Sequence, residues 1–137
     1  MPENKSVFED NYSVLAKEIE DLDIKMDKLA NSFSEEILFA SHPVYQYLSS
    51  GYELNVESFH WEADEMPDEL KWENFDNRQS KLKANIMLWE DIPLPEVKQE
   101  LLKRGIQVVL FNPGANTPAN SDFLNLMKTN VINLGEL

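Results

Sequence analysis

Three polar side chains stand at or just after the ends of short apolar segments of the sequence. His42 follows the first such segment, Glu90 the third and Asn112 the fourth. If the segments are strands of an open parallel sheet, these side chains lie at its carboxyl edge, where ligands bind. A neutral imidazole is a common ligand for zinc and related metals, so His42 is the most specific candidate for a metal ligand. Glu90 has a carboxylate that suits either a ligand or a general base.

Each candidate also has a structural interpretation. His42 could cap the following helix or form a hydrogen bond within a loop. Glu90 could be a carboxylate near a helix N-terminus, and Asn112 before Pro113-Gly114 is typical of a turn. His60 lies in an acidic stretch and is expected to be a surface side chain. The residue types alone leave both interpretations open.

Composition excludes several other kinds of chemistry. The chain has no cysteine, which excludes disulfides, Cys-based zinc sites and thiol catalysis. Its four glycines are far apart, so there is no glycine-rich phosphate loop, and no Gly-x-Ser-x-Gly motif is present. The carboxylates between positions 62 and 69 lack the spacing and the central glycine of a calcium loop.

The charge of the chain limits its partners. Asp and Glu number 25 against 12 Lys and Arg, which gives a formal charge of −13 over 137 residues. A surface this acidic is a poor match for nucleic acid or anionic lipid. The sequence lacks the apolar run of ~18 residues that a membrane span needs, and its opening residues lack the features of a signal peptide. We therefore expect no nucleic-acid partner and no direct membrane insertion, and the localisation stays open.

Helices and strands alternate in the pattern that must position these side chains. Apolar residues at helical spacing from Val7 to Leu29 predict a long first helix. Short apolar segments predict four strands, and amphipathic segments after each of them predict helices. The predicted strands are residues 37–40, 54–59, 85–90 and 106–111, and the helices that follow them begin at Pro43, at Pro67, near Val97 and near Phe123.

This order predicts an α/β fold with a four-stranded parallel sheet flanked by helices on both faces. The near-continuous apolar strands favour a parallel sheet over an antiparallel one. A chain of 137 residues is long enough for one core, so we predict a single domain over residues 1–137. A long helix before the first strand is unusual for a self-contained domain and indicates a helix inherited from something larger.

The segments around the candidate side chains also resemble a known protein family. The matching segments are Ser41-His42-Pro43-Val44-Tyr45-Gln46-Tyr47-Leu48, Leu88-Trp89-Glu90, Leu110-Phe111-Asn112-Pro113 and residues 122–131. Their order and spacing resemble the C-terminal lobe of the substrate-binding proteins of zinc and manganese ABC transporters, the ZnuA/TroA-like family. The resemblance covers nearly the whole chain.

The resemblance implies a single lobe of a TroA-like (chelatase-like) fold and a part in metal-ion transport. Family members hold one Zn²⁺ or Mn²⁺ between two lobes and are periplasmic or on the cell surface. His42 matches the position of a His or Glu ligand, and Asn112 matches that of an Asp or Glu ligand. Since Asn112 is a neutral amide and the other two family ligands belong to a first lobe, the isolated chain is expected to bind Zn²⁺ or Mn²⁺ weakly at best.

Three hypotheses for the function follow. The first is a metal-ion receptor lobe, incomplete or degenerate, whose partners are an N-terminal lobe or a homodimer mate and a membrane permease. The second is a stand-alone protein-interaction module that kept the fold and lost the metal. The third, a hydrolase or lyase using His42, Glu90 and Asp91, lacks any feature that would activate a nucleophile, so we expect no enzyme.

Overall fold

Helices and strands alternate along the whole described chain. A computed structural model describes residues 4–115 and 121–137. In chain order the elements are α1 Lys5–Ser32, β1 Ile37–Ala40, α2 Gln46–Tyr52, β2 Asn55–Ser58, α3 Glu69–Leu82, β3 Ile86–Trp89, α4 Pro95–Lys103, β4 Gln107–Leu110 and α5 Phe123–Gly135. Each predicted strand and helix is present; β1 has its predicted bounds, and the other three strands are each one residue shorter at both ends.

The four strands form one parallel sheet in the order β2-β1-β3-β4. From β1 the chain moves outward to β2, then crosses back to β3 and moves outward to β4 on the other side. The direction in which successive strands are added to the sheet therefore reverses between β1 and β3. These two parallel strands pair at Phe39 with Met87 and at Ala40 with Leu88. In open parallel sheets this reversal point is where a ligand crevice opens. The predicted α/β fold is confirmed.

Alternate strand residues enter two separate apolar cores, one on each face of the sheet. Leu38 of β1 packs on the face covered by α1, α2 and α5, where Leu134 is fully buried. Phe39 points to the opposite face, where it packs with Phe75 of α3 and Leu101 of α4. Because both faces are covered, β3 is buried at every position. This is the two-sided arrangement that the apolar strands predict.

Only the C-terminal part of α1 packs on the sheet. Met26 and Ala30 are buried there, whereas Val7, Phe8 and Tyr12 in the N-terminal half are more than half exposed. The apolar stripe predicted from the sequence is thus covered over part of its length. Within residues 4–115 and 121–137, none of the helices combines the length and the apolar character that crossing a membrane would need.

Two helices begin later than their prolines predict. The helix predicted to begin at Pro43 begins at Gln46, because Val44 N–H donates to the carbonyl of His42 and closes a turn first. The helix predicted from Pro67 begins at Glu69. The Asp68 side chain accepts a hydrogen bond from Lys71 N–H and so caps that helix.

Candidate metal site

His42 and Glu90 meet where the carboxyl ends of β1 and β3 lie side by side. Main-chain pairing continues past the end of β1, since Ser41 N–H donates to Leu88 O at 2.9 Å. This pairing brings His42 Nδ1 within 3.7 Å of Glu90 Oε1. The two sequence candidates with the strongest chemistry are therefore in contact at the reversal point of the sheet.

One hydrogen bond fixes the tautomer of the His42 ring. Nδ1 lies 3.0 Å from the carbonyl oxygen of Trp61. A carbonyl only accepts, so Nδ1 carries a proton in this bond, and in the neutral imidazole Nε2 therefore keeps its lone pair. A metal-binding histidine characteristically donates its other ring N–H to a carbonyl or carboxylate in this way. The ring is partly exposed, with 22% of the side chain accessible.

The carbonyl that orients His42 belongs to an anchored loop. Trp61 N–H donates to Ser41 O at 2.9 Å, and Phe59 N–H donates to Ala40 O at 2.8 Å, so the loop after β2 continues to pair with β1. The Trp61 side chain is buried and packs against Trp72, with ring centroids 4.9 Å apart. The Trp61 carbonyl is therefore held in place by both main-chain and side-chain contacts.

The same loop supplies two further polar side chains near His42. Glu62 Oε1 lies 3.5 Å from His42 Nε2, the nitrogen with the free lone pair. The ring of His60 meets that of His42 edge to face, with centroids 5.9 Å apart. His60 is exposed, as the sequence predicts.

Asn112 has contacts of a different kind. Its main-chain N–H donates to Asn130 Oδ1 at 3.0 Å, and its carbonyl accepts from Asn130 Nδ2 at 2.7 Å. Its own side-chain oxygen accepts from Gly114 N–H at 2.8 Å. The amide oxygen of Asn112 is thus engaged in the turn that Pro113-Gly114 predicts, and the structure records no contact between Asn112 and His42.

A buried tyrosine links the start of α2 to the segment that follows β4. The Tyr45 hydroxyl donates to Phe111 O at 2.8 Å, which ties the start of α2 to the residue after β4. Burial raises the pKa of Tyr45, and the negative charge of nearby Glu90 raises it further. The hydroxyl consequently stays protonated and remains a donor near neutral pH.

The donor set fits part of a metal site. Among the residues that the structure describes, no three His, Cys, Asp or Glu side chains are grouped so as to hold an ion. What is present is one imidazole with a free nitrogen, one facing carboxylate, and a neutral amide beyond the next strand. A zinc ion takes about four ligands, so this chain's side chains satisfy the coordination incompletely.

Sequence reasoning found His42 and Glu90 but missed Glu62, the Trp61 carbonyl and Asn130. Glu62 could have been found from the sequence, because the loop after β2 lies at the same edge of the sheet as the residues that follow β1, β3 and β4. Asn130 had no such signal, since a helical asparagine gives no indication that it is buried. Asp91 stays outside the cluster, and its side chain accepts from the N–H of the next residue, Ile92.

A long helix leading into a four-stranded parallel sheet with flanking helices is the architecture of a single TroA-like lobe. The chain belongs to the family described as zinc-uptake complex component A, periplasmic, whose family model matches residues 1–137. The family and the fold inferred from the resemblance are confirmed.

Solved structures agree with this fold. The metal-dependent lipoprotein YcdH from Bacillus subtilis superposes with a TM-score of 0.87 at 18% identity, covering 98% of this chain and 53% of that one. The Zn(II)-bound ZnuA-like domain of Streptococcus pneumoniae AdcA gives 0.83 at 18% identity, covering 99% and 54%. The chain therefore spans about half the length of these relatives. A comparison with curated protein sequences found no match.

Proposed function

We propose that this chain is a metal-ion receptor lobe whose cargo is Zn²⁺ or Mn²⁺ and whose principal ligand atom is His42 Nε2. Membership of the zinc-uptake family supports a metal-binding role. The observation that carries the proposal is the hydrogen bond from His42 Nδ1 to the Trp61 carbonyl, because it leaves Nε2 free to bind a cation.

The lobe acts together with donors from outside the described residues. A single imidazole gives too little binding free energy for a tight zinc site. Asn112 adds at most a neutral oxygen at the position where the resemblance expects an acid. The remaining ligands come from an N-terminal lobe or a second copy of the chain, and the loaded assembly delivers its ion to a membrane permease.

An enzymatic function has less support. The AdcA domain named above is Zn(II)-bound, and the Nδ1 proton of His42 is directed at a main-chain carbonyl rather than at a substrate group. Glu90 lies on that same Nδ1 side. Neither residue activates a nucleophile, so we propose binding without catalysis.

One observation favours a second candidate function, a protein-interaction module that has lost metal binding. The N-terminal half of α1 exposes Phe8, Tyr12 and Leu15, which are 63%, 73% and 47% accessible. Such a face fits a protein partner. It fits a second lobe equally well, so zinc binding decides between the two candidates.

Isothermal titration of the full chain with ZnCl₂ tests the metal-receptor proposal. We expect weak binding by the wild type and at least a ~10-fold loss in His42→Ala, the size of effect that follows from disturbing a metal site. His60→Ala is the matched control, since it removes an exposed imidazole from the same region and should retain most of the affinity. Equal affinities in wild type and His42→Ala would refute the role of His42 and favour the interaction module.

A further inference from the structure

We propose that Glu62 is the anionic ligand of this lobe and forms with His42 a two-residue half-site for a divalent transition-metal ion. The inference rests on the proposed function, because it uses the same imidazole. It assigns the negative charge of the site to the loop after β2 rather than to the position of Asn112 after β4.

The separation of the two donor atoms fits a shared ion. A zinc ion has its nitrogen ligands at about 2.0–2.1 Å and its carboxylate oxygens at about 2.0–2.2 Å, so a tetrahedral angle separates such a pair by about 3.3–3.5 Å. His42 Nε2 and Glu62 Oε1 are 3.5 Å apart. This separation lies at the upper end of the range expected for two ligands of one ion.

When the ring is neutral, a cation between these two atoms is electrostatically favourable. Because Nδ1 holds the ring proton against the Trp61 carbonyl, Nε2 presents a lone pair toward Glu62. Two acceptors facing each other have no hydrogen to share and repel. A divalent ion turns this repulsion into two favourable contacts.

The backbone on both sides of Glu62 is fixed. Trp61 N–H bonds to Ser41 O at 2.9 Å, and Ala63 O accepts from Leu94 N–H at 3.1 Å. The Glu62 side chain itself remains 56% exposed, which leaves the path of an incoming ion open. Consecutive residues thus orient the imidazole through the Trp61 carbonyl and place a carboxylate at its free nitrogen.

The other candidate ligands are less suited to this role. Glu90 approaches Nδ1, at 3.7 Å, and so lies on the side of the ring that carries the proton. The Asn112 side-chain oxygen is already bound by Gly114 N–H. Glu62 is the carboxylate that the structure places at Nε2.

Zinc titration of the full chain, with ZnCl₂ as the probe, tests the assignment in matched variants. We expect Glu62→Gln to weaken binding about 10-fold or more, and Glu62→Asp to retain part of the affinity because it keeps a carboxylate. Glu65→Gln removes the same charge three residues along the same loop and should stay within about 2-fold of wild type. Asn112→Ala should lose less affinity than Glu62→Gln.

The variants separate failure of this inference from failure of the proposed function. If His42→Ala weakens binding while Glu62→Gln behaves like Glu65→Gln, Glu62 is not a ligand and His42 still is. If His42→Ala leaves binding unchanged, both proposals fall. Circular dichroism of each variant checks the fold, which an exposed Glu62 side chain should leave intact.

Discussion

At the scale of single residues, main-chain contacts decide which side chains at the sheet edge are free to bind. His42 and Asn112 both follow strands of the same sheet. The Trp61 carbonyl accepts a hydrogen bond from Nδ1–H of His42 and leaves Nε2 available. Gly114 N–H, by contrast, uses the side-chain oxygen of Asn112. The two positions look alike in the sequence but differ in what they can offer an ion.

The side chain of Asn130 holds the main chain of Asn112 in place, and removing the Asn130 amide should destabilise the protein. Asn130 is 2% exposed and exchanges two hydrogen bonds with the main chain of Asn112. Asn130→Ala leaves that N–H and C=O without partners at roughly 1–3 kcal/mol each. Since Asn112 is itself an exposed residue, we expect the lower part of that range, a loss of about 2 kcal/mol in urea unfolding.

Asn133→Ala provides the matched control for that measurement. Asn133 donates to Leu110 O at 2.9 Å from the more exposed side of the same helix, and water can replace its bond. Its loss should be below about 1 kcal/mol. Equal losses in the two variants would contradict the structural role assigned to Asn130.

The candidate site was predictable where it depends on local sequence and unpredictable where it depends on distant contacts. His42 was identifiable because an imidazole before a proline follows an apolar segment. The hydrogen bond that orients the His42 ring joins it to the carbonyl of Trp61, 19 positions away. No local pattern specifies that contact, which arises only when β1 and β2 pair in register.

At the scale of elements, the apolar pattern predicted the type and order of the helices and strands correctly but placed some of their boundaries wrongly. Strand β3 was easy to predict because both of its faces are buried, which gives it a continuous run of apolar residues in the sequence. The start of α3 was placed at Pro67, whereas the structure begins that helix after Asp68. A proline indicates that a helix is near, but a capping side chain determines where its hydrogen bonds begin.

The contact between α1 and α2 predicts a pH dependence of stability. Tyr52 of α2 donates to Asp23 of α1 at 2.7 Å. Burial, the hydrogen bond to Asp23 and nearby negative charge raise the pKa of Tyr52 from 10.0 to about 12. Between these values the unfolded chain loses the phenolic proton and the folded protein keeps it, so stability falls as pH rises through that window.

Urea unfolding of wild type and Tyr52→Phe at pH 8.5 and pH 11 measures this effect. The stability advantage of the wild type should be present at pH 8.5 and shrink at pH 11, because Phe cannot titrate. Tyr47→Phe is the control on the same helix, where the side chain is 94% exposed, and it should change stability at pH 8.5 by less than Tyr52→Phe does. A wild-type advantage that persists at pH 11 would rule out the coupling to Asp23.

At the scale of the whole molecule, burial is uneven along the first helix. α1 is 28 residues long, yet Met26 and Ala30 are its buried residues among those described. Ile19 and Tyr12 instead border a groove of about 570 Å³ shared with Phe123 and Met127 of α5. The predicted long first helix is present, its inheritance from something larger stays a hypothesis, and the chain covers about half of each solved relative named above.

The net charge should make the stability of the whole protein depend on salt. A formal charge of −13 repels itself in the compact state, and raising NaCl from 10 to 150 mM shortens the screening length from ~30 to ~8 Å. Because acids exceed bases, screening relieves more repulsion than attraction, so urea unfolding should show a gain on the order of 1 kcal/mol. The triple variant Glu35→Gln, Glu65→Gln and Glu73→Gln removes three exposed charges that lie outside the described ion pairs, and it should gain less from the same salt. A wild type that loses stability with NaCl, or a triple variant with an unchanged salt response, would show that local ion pairs outweigh the acidic excess.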